Sequence, residues 1–367
     1  MSSDLCRWGI LGTATIARKN WQAIRNSGNG TVVAVASRTE ERAREYIAEN
    51  QSQVPHDPPP RPIAGYEEMI AADDIDAIYI PLPTGVRKEY VIQAAKAGKH
   101  VLCEKPCGRN VEEVEEMIGA CSEANVQFMD GVMFMHSDRL PRLREVLDED
   151  KAVGTIKRIA SQFSFMAPDD FLKENIRVHS DLEPLGSLGD LGWYCIRMIL
   201  WTMKYEMPTS VQADMIRQSG RPDSPDSVPI SLSAEMTFAS GVTGSFFCSF
   251  EMEHQQWCNI SGTGGHVYLN DFVLPYNGPE VGFDIEQAHF EQDICNFRME
   301  RHRTRVNVRE YADSHPTSQE TKLFRNFGDL ALSGKPDQHW PEISLKTQKV
   351  LDACLRSARD GGSSVEL

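Results

Sequence analysis

Residues 8–17 read WGILGTATIA, and this stretch decides the fold of the first part of the chain. A short apolar run ends at Leu11, Gly12 follows, and the next residues have helical spacing. A turn that binds a dinucleotide needs a glycine for the tight bend and small residues where the main chain approaches the pyrophosphate and the strand. Ala14 and Ala17 occupy those small positions. The pattern fits either an ordinary strand-to-helix turn or a pyrophosphate-binding turn formed by Gly12, Thr13, Ala14, Thr15 and Ile16.

Strands and helices alternate through residues 1–130. Apolar, β-branched runs indicate further strands, and helical patterns separate them. These strands are predicted at Thr31–Ala36, Asp76–Pro81, His100–Cys103 and Val126–Met129, with helices at Glu40–Glu49, Val86–Ala97 and Val111–Ala124. The proline-rich residues 51–62 are predicted to form a surface insertion. The alternation is typical of an α/β Rossmann domain with a doubly wound parallel sheet, here covering residues 1–130.

The pattern changes after residue 130, where β-rich runs linked by short turns dominate. We predict that residues 131–367 form an α+β domain with a large, mostly antiparallel open sheet. The predicted strands are Ile156–Phe165, Ser210–Ile216, Ile230–Phe238, Thr243–Phe250, Trp257–Ser261 and His266–Leu269, and the helices are Leu140–Leu147, Asp190–Trp201, Ser318–Ala331 and Leu345–Arg359. Phe246, Phe250 and Val267 are expected on a sparsely covered sheet face, which would make a homodimer or a dimer of dimers through this sheet.

The composition of the chain excludes several classes of function. A formal net charge of −15 argues against binding to nucleic acid or to anionic membranes. No apolar run approaches the length of a membrane helix, and no secretory signal is visible, so a cytoplasmic protein is expected. Nine cysteines without an export signal predict reduced thiols. Cys103 and Cys107 lack a second Cys/His pair, so no metal site is expected.

The end of the second strand carries Ser37-Arg38-Thr39 where a protein that binds NAD usually has an acidic residue. A hydroxyl and a guanidinium suit the 2′-phosphate of NADP, because arginine can bind phosphate through two N–H groups. The alternative is a surface arginine at the start of a helix. We predict that Ser37 and Arg38 select NADP(H) over NAD.

Two further motifs carry candidate catalytic groups. Lys105 lies in Glu104-Lys105-Pro106 at a strand end, and such ends face the ligand crevice of a doubly wound sheet. Asp190 and Tyr194 lie four residues apart after a glycine-rich turn, so a helix would place them on one face. A carboxylate and a phenol there could hold a substrate hydroxyl and move its proton. Taken singly, the first motif is better explained by an ordinary surface lysine, and the second by a half-buried tyrosine whose hydroxyl is satisfied.

In combination, the segments WGILGTATIA, VASR, IPLPT, CEKP, FMDGVMF and GDLGWYCI resemble the glucose-fructose oxidoreductase, inositol dehydrogenase and rhizopine catabolism (Gfo/Idh/MocA) family over nearly the whole chain. The similarity is greatest to the branch of dimeric dihydrodiol dehydrogenases and NADP-dependent xylose dehydrogenases, which have tyrosine where inositol dehydrogenases have histidine.

The resemblance implies roles for individual residues. It makes Lys105, Tyr194 and Asp190 catalytic, with Tyr194 as acid/base and a cis peptide before Pro106. It assigns coenzyme contacts to Pro81, Leu82, Pro83, Glu104 and Lys105, and substrate contacts to Arg177 and His179. Arg87 departs from the pattern, because many relatives carry histidine there. His136 is expected to be structural.

These features predict an NADP-dependent dehydrogenase or reductase acting on a hydroxyl or carbonyl of a sugar or polyol-like substrate. A biosynthetic keto-sugar reductase would use the same residues. A non-catalytic NADP-sensing regulatory protein on the same fold is the alternative from another class. The joint presence of Lys105 and Tyr194 favours an enzyme.

Overall fold

The computed structural model describes residues 5–278, 280–312 and 314–367. Its first domain is a six-stranded parallel sheet with the strand order β3-β2-β1-β4-β5-β6, which confirms the predicted Rossmann topology. The strands are β1 (Cys6–Leu11), β2 (Gly30–Ser37), β3 (Arg61–Ala64), β4 (Ala77–Ile80), β5 (His100–Cys103) and β6 (Phe128–Asp130). The helices between them are α1 (Thr15–Ser27), α2 (Glu40–Gln53), α3 (Tyr66–Ala71), α4 (Thr84–Lys96) and α5 (Val111–Glu123).

The prediction of a surface insertion over residues 51–62 is wrong at both ends. Helix α2 continues to Gln53, and β3 pairs in parallel with β2 from Arg61 onwards. β3 is the edge strand of the sheet, where a proline such as Pro62 needs no second hydrogen-bonded neighbour. The prolines therefore concealed a short strand from sequence reasoning.

The second domain contains a nine-stranded sheet with the order β14-β13-β12-β11-β7-β10-β9-β8-β15, in which only β7 and β10 pair in parallel. This confirms a large, mostly antiparallel sheet. Its strands are β7 (Ile156–Met166), β8 (Ser210–Ser219), β9 (Val228–Thr237), β10 (Thr243–Ser249), β11 (Glu251–Gly262), β12 (His266–Leu269), β13 (Val281–Asp293), β14 (Asn296–Val308) and β15 (Val365–Glu366). The helices are α6 (Arg139–Asp148), α7 (Phe171–Glu174), α8 (Trp193–Thr202), α9 (Gln319–Ser333) and α10 (His339–Arg359).

Strands β13 and β14 form a long hairpin that sequence reasoning missed. Beyond Gln287, both strands are exposed to solvent on both faces, so the alternation of buried and exposed residues that reveals a strand is absent there. We call residues 287–302 the hairpin arm. Its exposed apolar side chains include Phe290, Phe297 and Met299.

The expectation that Phe246, Phe250 and Val267 line an open sheet face is also wrong. All three side chains are buried within the chain. A Cβ atom placed on Gly192, just before α8, would lie 3.3 Å from Phe246, so this face is covered by α8 and the turn before it. The opposite face is the open one. Because side chains alternate along a strand, it carries the half-buried Phe247, Trp257 and Tyr268.

Helix α9 returns to pack against the first sheet, although it comes from the last part of the chain. The rings of Phe324 and Phe327 lie 5.2 and 5.0 Å from the indole ring of Trp8 in β1. The hydrophobic core of the first domain is therefore completed by residues far outside 1–130. Within the described ranges, no helix combines the length and the apolar character that crossing a lipid bilayer requires.

A fully buried ion pair joins α8 to the end of β6. Arg197 Nη2 donates to Asp130 Oδ2 at 2.6 Å, and the exposed fractions of the two side chains are 0% and 1%. Arg197 Nε also donates to Thr347 Oγ1 of α10, and the indole N–H of Trp193 donates to Asp130. These bonds fix the start of α8 against the edge of the first sheet.

We expect Arg197→Met to destabilise the protein by about 3–5 kcal/mol, because it leaves the Asp130 carboxylate buried without its partner. Urea unfolding followed by circular dichroism measures this loss. Arg142→Met is the matched control, because its partner Glu145 is solvent-exposed and such pairs contribute about 0–1 kcal/mol. Equal effects of the two substitutions would contradict the structural role given to Arg197.

Candidate active site

A cavity of about 790 Å³ lies where the two domains meet, at the carboxyl ends of strands β1, β4 and β5. Ligands bind at this edge of doubly wound sheets. Most of the residues predicted from the sequence line this cavity. They are Thr13, Ala14, Thr15, Ile16, Pro81, Leu82, Pro83, Glu104, Lys105, Arg177, Asp190 and Tyr194.

The turn between β1 and α1 has the geometry of a phosphate site. Gly12 has a φ angle of 110°, which a residue with a side chain rarely adopts. Helix α1 then begins without a side-chain cap at Ala14 and without an acidic residue in its first turn. Thr15 and Ile16 of its first turn line the cavity, and the first N–H groups of a helix lack partners within the helix and are available to an anion. These residues fit the pyrophosphate of a dinucleotide.

Ser37 and Arg38 lie at the end of β2, as predicted, but they do not line the cavity. Ser37 is buried and its carbonyl accepts from the N–H of Gly65, whereas Arg38 is exposed. Burial raises the pKa of the nearby Tyr66 phenol, and the charges of Arg38 and Arg42 oppose this rise. Arg42, in the first turn of α2, is thus a second guanidinium at this edge. Sequence reasoning missed Arg42.

Lys105 and Arg177 share one carboxylate. Lys105 Nζ lies 2.7 Å from Asp190 Oδ1 and 2.8 Å from the Asp190 carbonyl oxygen, and Arg177 Nε lies 2.8 Å from Asp190 Oδ2. The peptide between Lys105 and Pro106 is cis, as the sequence predicts. The three charged side chains come from the edge of the first sheet, from a loop of the second domain and from the turn before α8. They are called the Asp190 cluster below.

The protonation states of the cluster follow from its contacts. Burial alone would raise the pKa of the Asp190 carboxyl, but Arg177 and Lys105 outweigh it and lower this pKa to about 2. The Asp190 carboxylate in turn raises the pKa of the Arg177 guanidinium. The carboxylate therefore stays ionised at neutral pH and well into the acidic range.

Tyr194 is buried beside the cluster. Its hydroxyl has a sulfur contact of 3.8 Å with Met133, and Lys105 Nζ lies 4.8 Å from the centre of its ring. Burial, with the charges of Glu104 and Asp190, raises the pKa of the phenol well above its ordinary value, and the charge of Arg177 opposes this rise. The Lys105 ammonium is hydrogen-bonded to Asp190 and lies over the phenol ring.

A single π-helical turn, Leu188–Gly192, carries Asp190 and leads into α8, where the sequence predicts one continuous helix over Asp190–Trp201. Because Gly189 has no side chain, this turn can lie close to the Glu104-Lys105-Pro106 loop, called the lysine loop below. A Cβ atom on Gly189 would lie 3.0 Å from Pro106 Cγ and 2.6 Å from Leu185 Cβ. The π-helical turn is wider than an α-helical one, and it orients the Asp190 carboxylate towards Lys105 and Arg177. Tyr194 enters the cavity from the first turn of α8.

Sequence reasoning missed a buried hydrogen-bond chain beneath the lysine loop. Asn20 donates to the Tyr79 hydroxyl, and that hydroxyl donates to Glu104 Oε1, both at 2.6 Å. The N–H of Lys105 donates to the other carboxylate oxygen of Glu104 at 3.2 Å. Asn20 has helical spacing and Tyr79 strand spacing, so no local signal distinguishes them from core residues.

The other missed residues come from distant parts of the chain. Glu320 and Phe324 of α9 line the cavity, and Glu320 forms an ion pair with Lys19 of α1. Phe163 and His254 line the part of the cavity that the second domain forms, with their rings 6.1 Å apart. The described residues bring no three His, Cys, Asp or Glu side chains into an arrangement that could hold a metal ion.

Of the other residues discussed from the sequence, His136 and His179 do not line the cavity, whereas Arg87 does. The Nδ1 of His179 accepts from the N–H of Asp181. Burial lowers the pKa of His136 to about 3, and its ring stacks on Trp340. Arg87 is buried at the cavity wall, where its guanidinium contacts main-chain carbonyls.

Comparisons with known proteins extend over almost the whole chain. Residues 6–132 match the Gfo/Idh/MocA oxidoreductase family model with an NAD-binding Rossmann fold, and residues 141–268 match the C-terminal domain of the same family. An NADP⁺-dependent D-xylose 1-dehydrogenase of Haloferax volcanii is 30% identical over 98% of this chain and 99% of its own. A dTDP-3,4-didehydro-2,6-dideoxy-α-D-glucose 3-reductase of Actinomadura kijaniata is 28% identical over 96% of each chain. The crystal structure of KijD10, a 3-ketoreductase from Actinomadura kijaniata in complex with NADP, superimposes with a TM-score of 0.76 at 25% identity, covering 98% of both chains.

Proposed function

The chain belongs to the Gfo/Idh/MocA oxidoreductase family, as its sequence predicts, and we propose that it is an NADP-dependent enzyme that transfers a hydride to or from a carbon of a sugar or polyol-like substrate. The observation that carries this proposal is the meeting of four groups in one cavity. The phosphate turn and Lys105 come from the first domain, and Asp190 and Tyr194 come from the second.

The residues present fit a bound NADP(H). The uncapped start of α1 suits the pyrophosphate, and Arg38 with Arg42 suits the 2′-phosphate. Relatives named as NADP-dependent, and a related structure with NADP bound, agree with this coenzyme. When bound, the nicotinamide accepts a hydride from the carbon that carries the reacting hydroxyl, or returns one to a carbonyl carbon.

The remaining chemistry belongs to the side chains. In the oxidative direction, the phenol oxygen of Tyr194 takes the proton from the substrate hydroxyl, and in the reductive direction it gives the proton to the new alkoxide. A phenol whose pKa is raised by burial is a poor base, so it needs a cation near its oxygen. Arg177 lowers this pKa in part, and we propose that Lys105, whose ammonium lies 4.8 Å from the ring centre, supplies the second cation during turnover. Asp190 holds Lys105 and Arg177 at the substrate side of the cavity.

A coenzyme-sensing regulatory protein on the same fold would not need the Asp190 cluster beside a buried phenol, so this cluster favours an enzyme. A biosynthetic keto-sugar reductase shares every residue discussed, and one related protein carries such a name. Screening aldoses, ketoses, diols and nucleotide-linked keto-sugars with NADP⁺ or NADPH distinguishes a dehydrogenase from a reductase. All nine cysteines are free thiols, which suits our proposed location in the cytoplasm.

We also propose a homodimer through the open face of the nine-stranded sheet. Phe247 and Trp257 both pair with Gln162 and so lie on this face. The pairing of Tyr268 with Asp284 continues the same face into β13, where alternation places Phe290 of the hairpin arm on it. These aromatic side chains lie among polar ones such as Gln162 and Ser245, and aromatic residues set in a polar surround are typical of an interface.

Trp257→Arg is expected to convert the dimer into a monomer, because it replaces an aromatic contact of the proposed interface with a charge that the interface would have to bury. Sedimentation velocity at micromolar concentration measures the change. Leu332→Arg is the control, because Leu332 is exposed on α9, away from this face. A wild-type monomer, or a dimer that tolerates Trp257→Arg, would contradict the proposed interface.

Arg38→Ala is expected to raise the KM for NADP⁺ about 10- to 100-fold and to leave the KM for NAD⁺ almost unchanged. One charge-assisted contact to phosphate contributes about 1.5–3 kcal/mol. Steady-state kinetics with both coenzymes measure this difference. Arg44→Ala, on the exposed side of α2, is the matched control. Equal use of both coenzymes by the unaltered protein would refute the role given to Ser37 and Arg38.

Tyr194→Phe is expected to lower kcat by about 10²–10⁴-fold, because general acid–base help has this magnitude. NADPH binding, measured by fluorescence titration, should be retained, since only a hydroxyl is removed. Tyr276→Phe is the control, because Tyr276 is exposed and outside the cavity. Full turnover of Tyr194→Phe on the best substrate would show that another group moves the proton.

A further inference from the structure

Arg87 is a buried cation whose contacts converge on the loop that carries Lys105. Its side chain comes from the first turn of α4 and is 2% exposed. Nη1 donates to the carbonyl of Glu104 at 2.6 Å and to the carbonyl of Pro106. Nε and Nη2 donate to the carbonyl of Leu82 at 3.0 and 2.5 Å. The guanidinium thus bridges the main chain on both sides of Lys105 to the end of β4.

This bonding pattern needs the shape of a guanidinium. Its N–H groups lie in one plane and point in fixed directions, so one side chain can reach three carbonyls in two loops. A histidine at this position has only two ring nitrogens, and a lysine ends in a single compact ammonium. Arg87 therefore gives this chain a rigid connection that a histidine in its place would not reproduce.

The same turn of α4 holds the loop that carries Arg177. Glu183 accepts from the N–H and the hydroxyl of Thr84 at 3.1 and 2.6 Å. The N–H of Gly85 donates to the carbonyl of Leu182 at 2.8 Å. A Cβ atom on Gly85 would lie only 1.7 Å from the carbonyl oxygen of Asp181, so the loop contacts the helix backbone directly. The first turn of α4 therefore holds both loops that carry the cations of the Asp190 cluster.

We propose that Arg87 is a positioning residue, which fixes the main chain of the Glu104-Lys105-Pro106 loop so that the Lys105 ammonium reaches Asp190 and the reacting oxygen. This inference rests on the proposed function, because it assigns Lys105 a part in turnover. Arg87 itself touches no reacting atom. Its effect on the reaction passes through the position of Lys105, whose side chain is 11% exposed and bonded to Asp190.

The test compares Arg87→Met in the wild type and in a Lys105→Met background, with the chain otherwise intact. In the wild type, kcat should fall about 10- to 100-fold, because small displacements of a catalytic group have effects of this size. The affinity for NADPH, measured by fluorescence titration, should change by no more than about twofold. In the Lys105→Met background, Arg87→Met should lower kcat by no more than about twofold further, because two residues that act as one unit are not additive.

Two further variants separate positioning from general stability. Arg87→Lys keeps the charge but not the planar guanidinium with its fixed N–H directions, so its kcat should lie between those of the wild type and Arg87→Met. If Arg87→Met fails to fold, the loss of kcat in Arg87→Lys still tests the proposal. Arg109→Met is the matched control, because this exposed guanidinium, four residues after Lys105, pairs with Glu113. It should leave kcat unchanged.

Each outcome either supports or overturns the proposal. Equal losses from Arg87→Met in both backgrounds would show that Arg87 acts independently of Lys105, and this would overturn the positioning role while leaving the proposed function intact. A fully active Lys105→Met enzyme would overturn the proposed function and the positioning role together. Full activity of Arg87→Lys with an intact fold would show that charge alone suffices, which also contradicts the bridging role.

Discussion

The buried carboxylate of Asp190 is the group on which the rest of the site depends. It holds two cations, Lys105 and Arg177, and each comes from a different part of the chain. Desolvation opposes its charge, and Arg177 and Lys105 outweigh this effect and lower its pKa to about 2. Without both cations, the carboxylate would lie largely buried with no compensating charge, which is costly. Because Lys105 comes from the first domain and Asp190 and Arg177 from the second, the cluster links the two domains.

The surrounding fold supplies that arrangement through contacts distant from the chemistry. The Asp130–Arg197 pair fixes the start of α8, from which Tyr194 enters the cavity. Gly189 allows the turn that carries Asp190 to approach Pro106. On the other side, the first turn of α4 holds the Glu104-Lys105-Pro106 loop through Arg87 and the loop that carries Arg177 through Thr84. Helix α9 completes the first core against Trp8 and adds Glu320 to the cavity wall.

The fold classes and most elements could be predicted from the sequence because their signals are local. Parallel strands such as His100–Cys103 are apolar on both faces, and the hairpin-linked strands alternate. Lys105, Asp190 and Tyr194 could be identified because family motifs mark them. The arm of β13 and β14 was missed because it is exposed on both faces, and β3 because prolines disguise an edge strand. Asn20 and Glu320 were missed as site residues, and the part played by Arg87 could not be predicted, because their contacts join parts of the chain that sequence spacing does not relate.

In the mechanism we propose, Lys105 lowers the pKa of the buried Tyr194 phenol during turnover. The pH dependence of kcat for substrate oxidation, in the wild type and in Lys105→Met, measures this effect. Tyr194 must be deprotonated to accept a proton, so the rate should rise with pH to a plateau. Removing a nearby cation disfavours the phenolate, so the midpoint of this rise should move at least about one pH unit upward in Lys105→Met. An unchanged midpoint, with the rate lowered equally at every pH, would contradict it.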